Sequence, residues 1–213
     1  LKHAESYGIK VKEGSFDKDF PAVIKRSRDV ASTMSKGVQF LMKKNKIDVI
    51  MGYGTLKSGK KVDVKDKDGK VTEYSADHII IATGARSREL PALPQDGKKI
   101  IGYRQALTLP EQPKKMIVVG SGAIGIEFAY FYNAMGTEVT IVEFMPNIVP
   151  VEDEDISKQL EKSLKKSGIN IMTSAEVTKV DTSGKGVKAF VKTAKGEEIL
   201  EADILLSAVG IKT

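Results

Sequence analysis

Gly120, Gly122 and Gly125 are spaced as G-x-G-x-x-G within Gly120-Ser121-Gly122-Ala123-Ile124-Gly125-Ile126, and Glu143 follows 23 residues after the first glycine. Glycines at this spacing let a chain turn tightly, bring its backbone against a bulky anion and pack a helix closely on a strand. An acid about 20 residues on supplies acceptors for sugar hydroxyls. The chemistry is dinucleotide binding, with the pyrophosphate on the free N–H groups of a helix N-terminus and the adenine ribose on the carboxylate. A 2′-phosphate would be repelled by Glu143, and no Arg stands in 144–150 to receive one. NAD(H) is therefore expected over NADP(H). Glu127, placed by the spacing on the first helical turn, is open to two roles: an auxiliary group near the nicotinamide, or an ordinary acid favoured by the helix dipole.

These residues need a strand, a helix and a second strand to hold them. Residues 116–119 form a β-branched apolar run, read as a buried strand. Residues 126–135 have the spacing of a buried helix closed by Gly136, and 139–142 form the second strand. Upstream, 1–15 read as an extended arm and 17–45 as a long helix with one apolar stripe (Val23, Val30, Met34, Val38, Leu41). Short strands are expected at 47–50, 61–65, 71–74 and 77–82, with Asp68-Gly69 as a hairpin turn. Prolines at 91, 94, 110 and 113 mark a connector. Beyond Glu143, a helix is expected over 152–167 with Ile156, Leu160 and Leu164 inward and Gly168 at its end, then a strand over 169–173.

The remainder repeats what precedes. Ala202-Asp203-Ile-Leu-Leu-Ser-Ala-Val-Gly210 matches Ala76-Asp77-His-Ile-Ile-Ile-Ala-Thr-Gly84 at an offset of 126, and the hairpins before each correspond. The chain thus carries the closing half of one dinucleotide-binding unit and a whole second one. Two such units imply two facing dinucleotides, which for hydride chemistry means a flavin and a nicotinamide.

At 213 residues and 41% hydrophobic, the chain can build one large or two small cores. It has no cysteine, so it can form no disulfide, thiolate nucleophile or zinc–thiolate site, and no metal site is expected. No apolar run approaches a membrane span, and cytoplasmic is the default expectation. Residues 1–70 hold 17 Lys and Arg against 9 Asp and Glu. Without interleaved aromatics for base stacking, this reads as a solvated basic face, not a nucleic-acid surface. The chain starts at Leu1 and ends just after a strand, so the middle of a longer protein is expected, with an earlier glycine turn upstream.

IIIATGARSRELP, LPEQPKKMIVVGSGAIGIEFAYFYNAMGTEVTIVE and ADILLSAVG together resemble the flavoprotein disulfide reductases (pyridine nucleotide–disulfide oxidoreductases), most closely the dihydrolipoyl dehydrogenase branch. The resemblance implies an α/β protein with the Rossmann-like FAD/NAD(P)-binding fold, its FAD domain only partly present: 1–113 would be the end of the FAD segment plus connector, and 114–213 the NAD domain. It implies FAD contacts at Gly54, Thr83, Gly84 and Ala85. NAD contacts would run over Gly120, Ser121, Gly122, Ala123, Ile124, Gly125, Ile126 and Glu127, with Glu143 at the ribose, Val177 on the adenine and Gly210 near the nicotinamide half. Ala123 would leave the nicotinamide unobstructed. The family's cysteine pair and its C-terminal catalytic His are missing, and neither His3 nor His78 replaces the base. The intact protein would oxidise dihydrolipoyl groups on an acyltransferase or carrier protein of a 2-oxo-acid dehydrogenase or glycine cleavage complex, as a homodimer. The alternatives are another NADH-linked reductase, such as one like mercuric reductase, and a non-catalytic NAD-binding module. The isolated chain is expected to be inactive.

Overall fold

A computed structural model describes residues 16–213; the arm expected over 1–15, with His3, lies outside the described residues. The described residues divide into two compact units, Arg26–Gly84 and a larger one made of those up to Lys25 with Ala85–Thr213.

The smaller unit holds most of helix α1 (Phe20–Lys44) and strands β1 (Tyr53–Lys57), β2 (Lys61–Lys65) and β3 (Val71–Ser75). The helix starts later than the periodicity alone predicts because Asp19 caps it, its carboxylate accepting from Ala22 N–H at 2.9 Å. Pro21 sits in the first turn, where its missing N–H costs nothing. At the other end the Asn45 side chain donates to the Leu41 carbonyl at 2.8 Å. The expected apolar stripe from Val23 to Leu41 is exposed throughout. The three strands form an antiparallel meander in the order β1-β2-β3. Its second turn is closed by Asp66, whose carboxylate accepts from the N–H groups of Asp68 and Lys70, with Gly69 at φ 85°.

Two expected strands do not form. Residues 47–50 and 77–82 are irregular, and Ile80 and Ile81 are 91% and 69% exposed. His78, placed by the sequence at the head of a buried strand, is exposed as well. An all-apolar strand is stable only between neighbours that pair its backbone and under helices that cover its faces. Among the described residues no strand lies beside either run.

The larger unit contains β4 (Arg86–Ser87), β5 (Ile100–Ile101), α2 (Tyr103–Ala106), β6 (Lys115–Val119), α3 (Ala123–Met135), β7 (Glu138–Val142) and α4 (Glu154–Lys166). It continues with β8 (Asn170–Met172), β9 (Glu176–Asp181), β10 (Val187–Thr193), β11 (Gly196–Ala202), β12 (Ile204–Ser207) and β13 (Ile211–Lys212). Five strands make a parallel sheet in the order β5-β12-β6-β7-β8. Alternate residues of β6 face opposite sides. Met116 and Val118 pack with Ile126, Ala129 and Tyr132 of α3 and Leu164 of α4. Ile117 and Val119 pack with Val177, Val187, Ala189 and Val191 of the β9–β11 meander. Helices thus cover one face and the meander the other, as a buried parallel sheet requires.

The β9–β11 meander repeats β1–β3 at offsets of 123, 126 and 125 residues between strand starts, so the repeat is real at that level; only its second copy adds the closing strand. The connector also differs from expectation. Residues 85–113 belong to the larger unit, where β5 pairs with β12 and Leu93, Ala106 and Leu109 are buried. By compactness alone the chain divides at Gly84/Ala85. In α4 the inward face runs through Ser157, Leu160 and Leu164, while Ile156 is 60% exposed. The expected four-residue spacing had drifted around the helix.

Tyr132 anchors α3. It is fully buried, its hydroxyl donates to the Ala106 carbonyl at 2.6 Å, and Phe131 meets its ring edge-on at 5.1 Å. Tyr132→Phe should lower the unfolding free energy by about 1–3 kcal/mol, because the Ala106 carbonyl loses its donor in a dry site. Burial also pushes the phenol up to about 12 from its ordinary 10.0. Its contribution is therefore whole below pH 10 and is lost as pH rises through 12, since the unfolded chain ionises first. Denaturant melts between pH 8 and 12 should show the gap between wild type and Tyr132→Phe closing only above pH 10.

Candidate functional site

The G-x-G-x-x-G turn sits at the carboxyl end of β6, in the middle of the sheet. From β6 the chain builds outward through β7 to β8, then crosses to place β12 on the other side. Ligands of open parallel sheets bind at such a reversal, outside the carboxyl ends of the strands.

Each glycine answers to a different constraint. Gly120 has φ 96°, and a Cβ there would lie 2.5 Å from the Ala208 carbonyl oxygen. At Gly125 a Cβ would overlap the Gly120 carbonyl oxygen, so α3 lies against the strand end only because that atom is missing. Gly122, the N-cap of α3, has φ −66° and nothing within 4 Å of a Cβ. Its lack of side chain answers to no protein atom; it keeps the surface open. No side chain caps α3, so the N–H groups of Ala123, Ile124 and Gly125 have no acceptor within the helix. They form a donor set for an anion, reinforced by the helix dipole.

The other candidates separate by orientation. Ala123 is exposed and Ile124 half-buried at the helix entrance. Ile126 is part of the core beneath α3, so only its backbone belongs to the turn. Glu127 is exposed and is the fifth residue of α3. It therefore opens the second turn, not the first, and the helix-dipole account of it loses force.

Glu143 follows β7 directly. Its backbone is held at both ends, the N–H donating to the Met172 carbonyl at 2.8 Å and the carbonyl accepting from Ala175 N–H at 2.9 Å. The residue as a whole is 7% exposed. Its carboxylate accepts from Ser121 N–H at 2.8 Å, from the Ser121 hydroxyl at 2.6 Å and from Met145 N–H at 2.7 Å. Sequence spacing locates Glu143 but gives no sign of this network, because Ser121 occupies a position where the motif accepts any residue. A pocket of about 310 Å³ opens beside it, lined by Phe144, Ser174, Glu176, Lys192, Thr193 and Ala194. The larger hollow of about 520 Å³ runs along edge strand β8, away from the turn.

Val177 is 7% exposed and packs in the core under the meander. Gly210 is exposed with φ 109°, past the end of β12, and its carbonyl accepts from Arg88 N–H at 2.9 Å. The four flavin candidates stand at three places in the chain. Gly54 lies within β1, Thr83 and Gly84 in the irregular exposed stretch after β3, and Ala85 in the larger unit. Among the described residues no cluster of acids and histidines could hold a metal, and no helix is long and apolar enough to cross a membrane.

Residues 4–213 match the pyridine nucleotide-disulphide oxidoreductase family. The chain belongs to it. The chain is 46% identical over 99% of its length to a dihydrolipoyl dehydrogenase of Rhizobium etli, of which it covers 47%. It is 44% identical over 99% of its length to one from Chlorobaculum tepidum, of which it covers 45%. The crystal structure of LpdA from Mycobacterium tuberculosis superposes with a TM-score of 0.83 at 29% identity, over 93% of this chain and 44% of that one. The chain thus spans about half the length of the relatives it matches. Pyridine nucleotide-disulphide oxidoreductases use FAD and NAD(H), and the Rossmann-like architecture expected from the motifs is the one found.

The glycine geometry orders two substitutions by their effect on folding. Gly125→Ala should cost about 1–3 kcal/mol, the usual range for overpacking, while Gly122→Ala should cost less than about 1 kcal/mol, the loss of an N-cap preference. Urea titration of both variants checks the ranking.

Proposed function

We propose that residues 114–213 form the NAD-binding domain of a flavoprotein, and that 1–113 are the closing part of its FAD segment with the connector. The observation that carries this is the open Gly122 face over three unpartnered helix N–H groups, with an anchored carboxylate at the end of the next strand. The donors fit a pyrophosphate. The carboxylate fits a ribose carrying free hydroxyls and repels one carrying a 2′-phosphate, with no Arg over 144–150 to offset that repulsion.

In this proposal Gly120 and Gly125 shape the turn, while Gly122 and the N–H groups of Ala123, Ile124 and Gly125 meet the phosphates. Ser121 and Ile126 contribute backbone to the turn. Glu143 takes the adenine ribose. Val177 offers its residual surface to the adenine, and exposed Gly210 lies toward the nicotinamide half. Glu127 reaches the same half from the second turn of α3. Gly54, Thr83, Gly84 and Ala85 are the chain's contribution to the FAD site. The chemistry the two cofactors supply when bound is two-electron transfer between flavin and nicotinamide.

For the intact protein we infer the oxidation of protein-bound dihydrolipoyl groups by NAD+, through FAD and a redox disulfide, in the cytoplasm and as a homodimer. The identity to dihydrolipoyl dehydrogenases over nearly the whole chain supports this. The partner would be the lipoyl-bearing acyltransferase or carrier protein of a 2-oxo-acid dehydrogenase or glycine cleavage complex. The thiol chemistry is not supplied by this chain, which has no cysteine.

Calorimetric titration of the chain with NADH and NADPH tests the site. NADH should bind at least roughly tenfold more tightly, a difference of about 1.4 kcal/mol, and Gly122→Val should abolish most of that binding with little change in melting temperature. Equal or tighter binding of NADPH would contradict the role given to Glu143. Steady-state rates of the full-length protein with dihydrolipoamide against other disulfide or metal acceptors test the wider activity, and a higher specificity constant for another acceptor would assign it elsewhere in the family.

A further inference from the structure

Ser121 lies at a position the glycine motif leaves unspecified, yet its side chain is fully buried and points away from the open face. Its hydroxyl donates to Glu143 Oε2 at 2.6 Å and accepts from Val149 N–H at 3.2 Å, so both its roles are used within the protein. The Ser121 N–H donates to the same Oε2 at 2.8 Å. We propose that Ser121 is a positioning residue for Glu143, and through it a determinant of the preference for an unphosphorylated ribose over a 2′-phosphorylated one.

A carboxylate offers roughly four acceptor sites, two on each oxygen. Both sites on Oε2 are filled by Ser121. Oε1 accepts from Met145 N–H at 2.7 Å and keeps one site. The carboxylate is thereby fixed in rotation and presents one acceptor, the complement of one sugar hydroxyl. It also cannot swing aside. A 2′-phosphate would have to approach a carboxylate that cannot turn away, which is how a site rejects a near-identical ligand by repulsion.

The same hydroxyl reaches the loop that follows Glu143. Val149 N–H is shared between the Ser121 hydroxyl and the Ser121 carbonyl, the latter at 3.1 Å. Val149 is buried and has φ 40°, a conformation that is rare for a branched side chain and costs on the order of 1–3 kcal/mol. Ser121 therefore joins three segments: the glycine turn, the end of β7 and this strained loop. Removing the hydroxyl leaves Glu143 two backbone donors but frees one site on Oε2 and lets the carboxylate rotate.

The assignment rests on the NAD site proposed above. In the full chain, Ser121→Ala should weaken NADH by roughly tenfold while leaving NADPH nearly unchanged, so that the ratio of the two affinities narrows by about the same factor. Ser121→Thr, which keeps the hydroxyl, should retain the wild-type ratio. In a Glu143→Ala background, Ser121→Ala should leave the ratio unmoved, since its effect passes through the carboxylate. If Ser121→Ala lowers the melting temperature but keeps the wild-type ratio, or if its effect on the ratio adds fully to that of Glu143→Ala, the hydroxyl is structural only and the proposal fails alone. If the wild-type chain itself binds NADPH at least as tightly as NADH, or binds neither, the NAD site and the proposal fall together. Should Ser121→Ala not fold, the ratio for Ser121→Thr decides: a value far from wild type overturns the role of the hydroxyl.

Discussion

Three backbone segments meet at the end of β6 with no room for a single Cβ. Gly120 abuts the carbonyl of Ala208 just past β12, and Gly125 abuts the carbonyl of Gly120. This double close approach fixes α3 against the sheet and sets its N-terminus at the reversal between β12 and β6. The rest of the larger unit is arranged to hold it. Tyr132 ties the C-terminal half of α3 to α2. The side chains of Lys18 and Gln112 satisfy the Met135 carbonyl at its C-terminus. Asp203 accepts from the N–H groups of Lys114 and Lys115 at 2.7 and 2.9 Å, pinning the start of β6 to the start of β12. The glycines make the site possible, and these anchors make it rigid.

The second constraint is electrostatic. A helix N-terminus with no capping side chain is a partial positive charge awaiting an anion. The structure places a buried carboxylate nearby but couples it to the Ser121 N–H, outside the helix, and to Met145 N–H in the following loop. The N–H groups of Ala123, Ile124 and Gly125 therefore remain for a ligand instead of being neutralised internally. Donor set and carboxylate sit at the ends of adjacent parallel strands, β6 and β7, whose spacing of about 4.8 Å keeps them close but separate.

What the sequence made legible was this local chemistry. Strand, turn, helix and strand follow one another without interruption from Lys115 to Val142, so the period changes and the glycines were enough to place them, and the acid fell where spacing puts it. The orientation of Ser121 was not legible, because a serine between two glycines carries no periodic signal. Nor was the position of 85–113: its prolines mark a connector, but only the pairing of Ile100 and Ile101 with Leu205 and Leu206 shows that it completes the sheet. The registration of α4 failed for a simpler reason, since a four-residue spacing drifts off a 3.6-residue helix and leaves Ile156 in solvent.

The internal repeat shows how far local sequence can go. Residues 76–84 and 202–210 share the same Ala-Asp start, apolar middle and terminal glycine, and each follows a three-stranded meander. In the second copy, Leu205 and Leu206 are fully buried between β5 and β6, and Asp203 caps the neighbouring strand. In the first, Ile80 and Ile81 face solvent and no strand lies alongside among the described residues. Two nine-residue runs of one pattern are thus a central strand in one setting and irregular chain in the other. The difference is not propensity, since β-branched isoleucines favour a strand at least as much as leucines do. It is the ladder. A central parallel strand draws its backbone hydrogen bonds and its burial from both neighbours, so the state of 76–84 depends on what is placed beside it and not on its own composition. The meanders need no such help, because each antiparallel hairpin carries its partner in the adjoining sequence, and that is why both copies fold alike up to the residue where the closing strand begins.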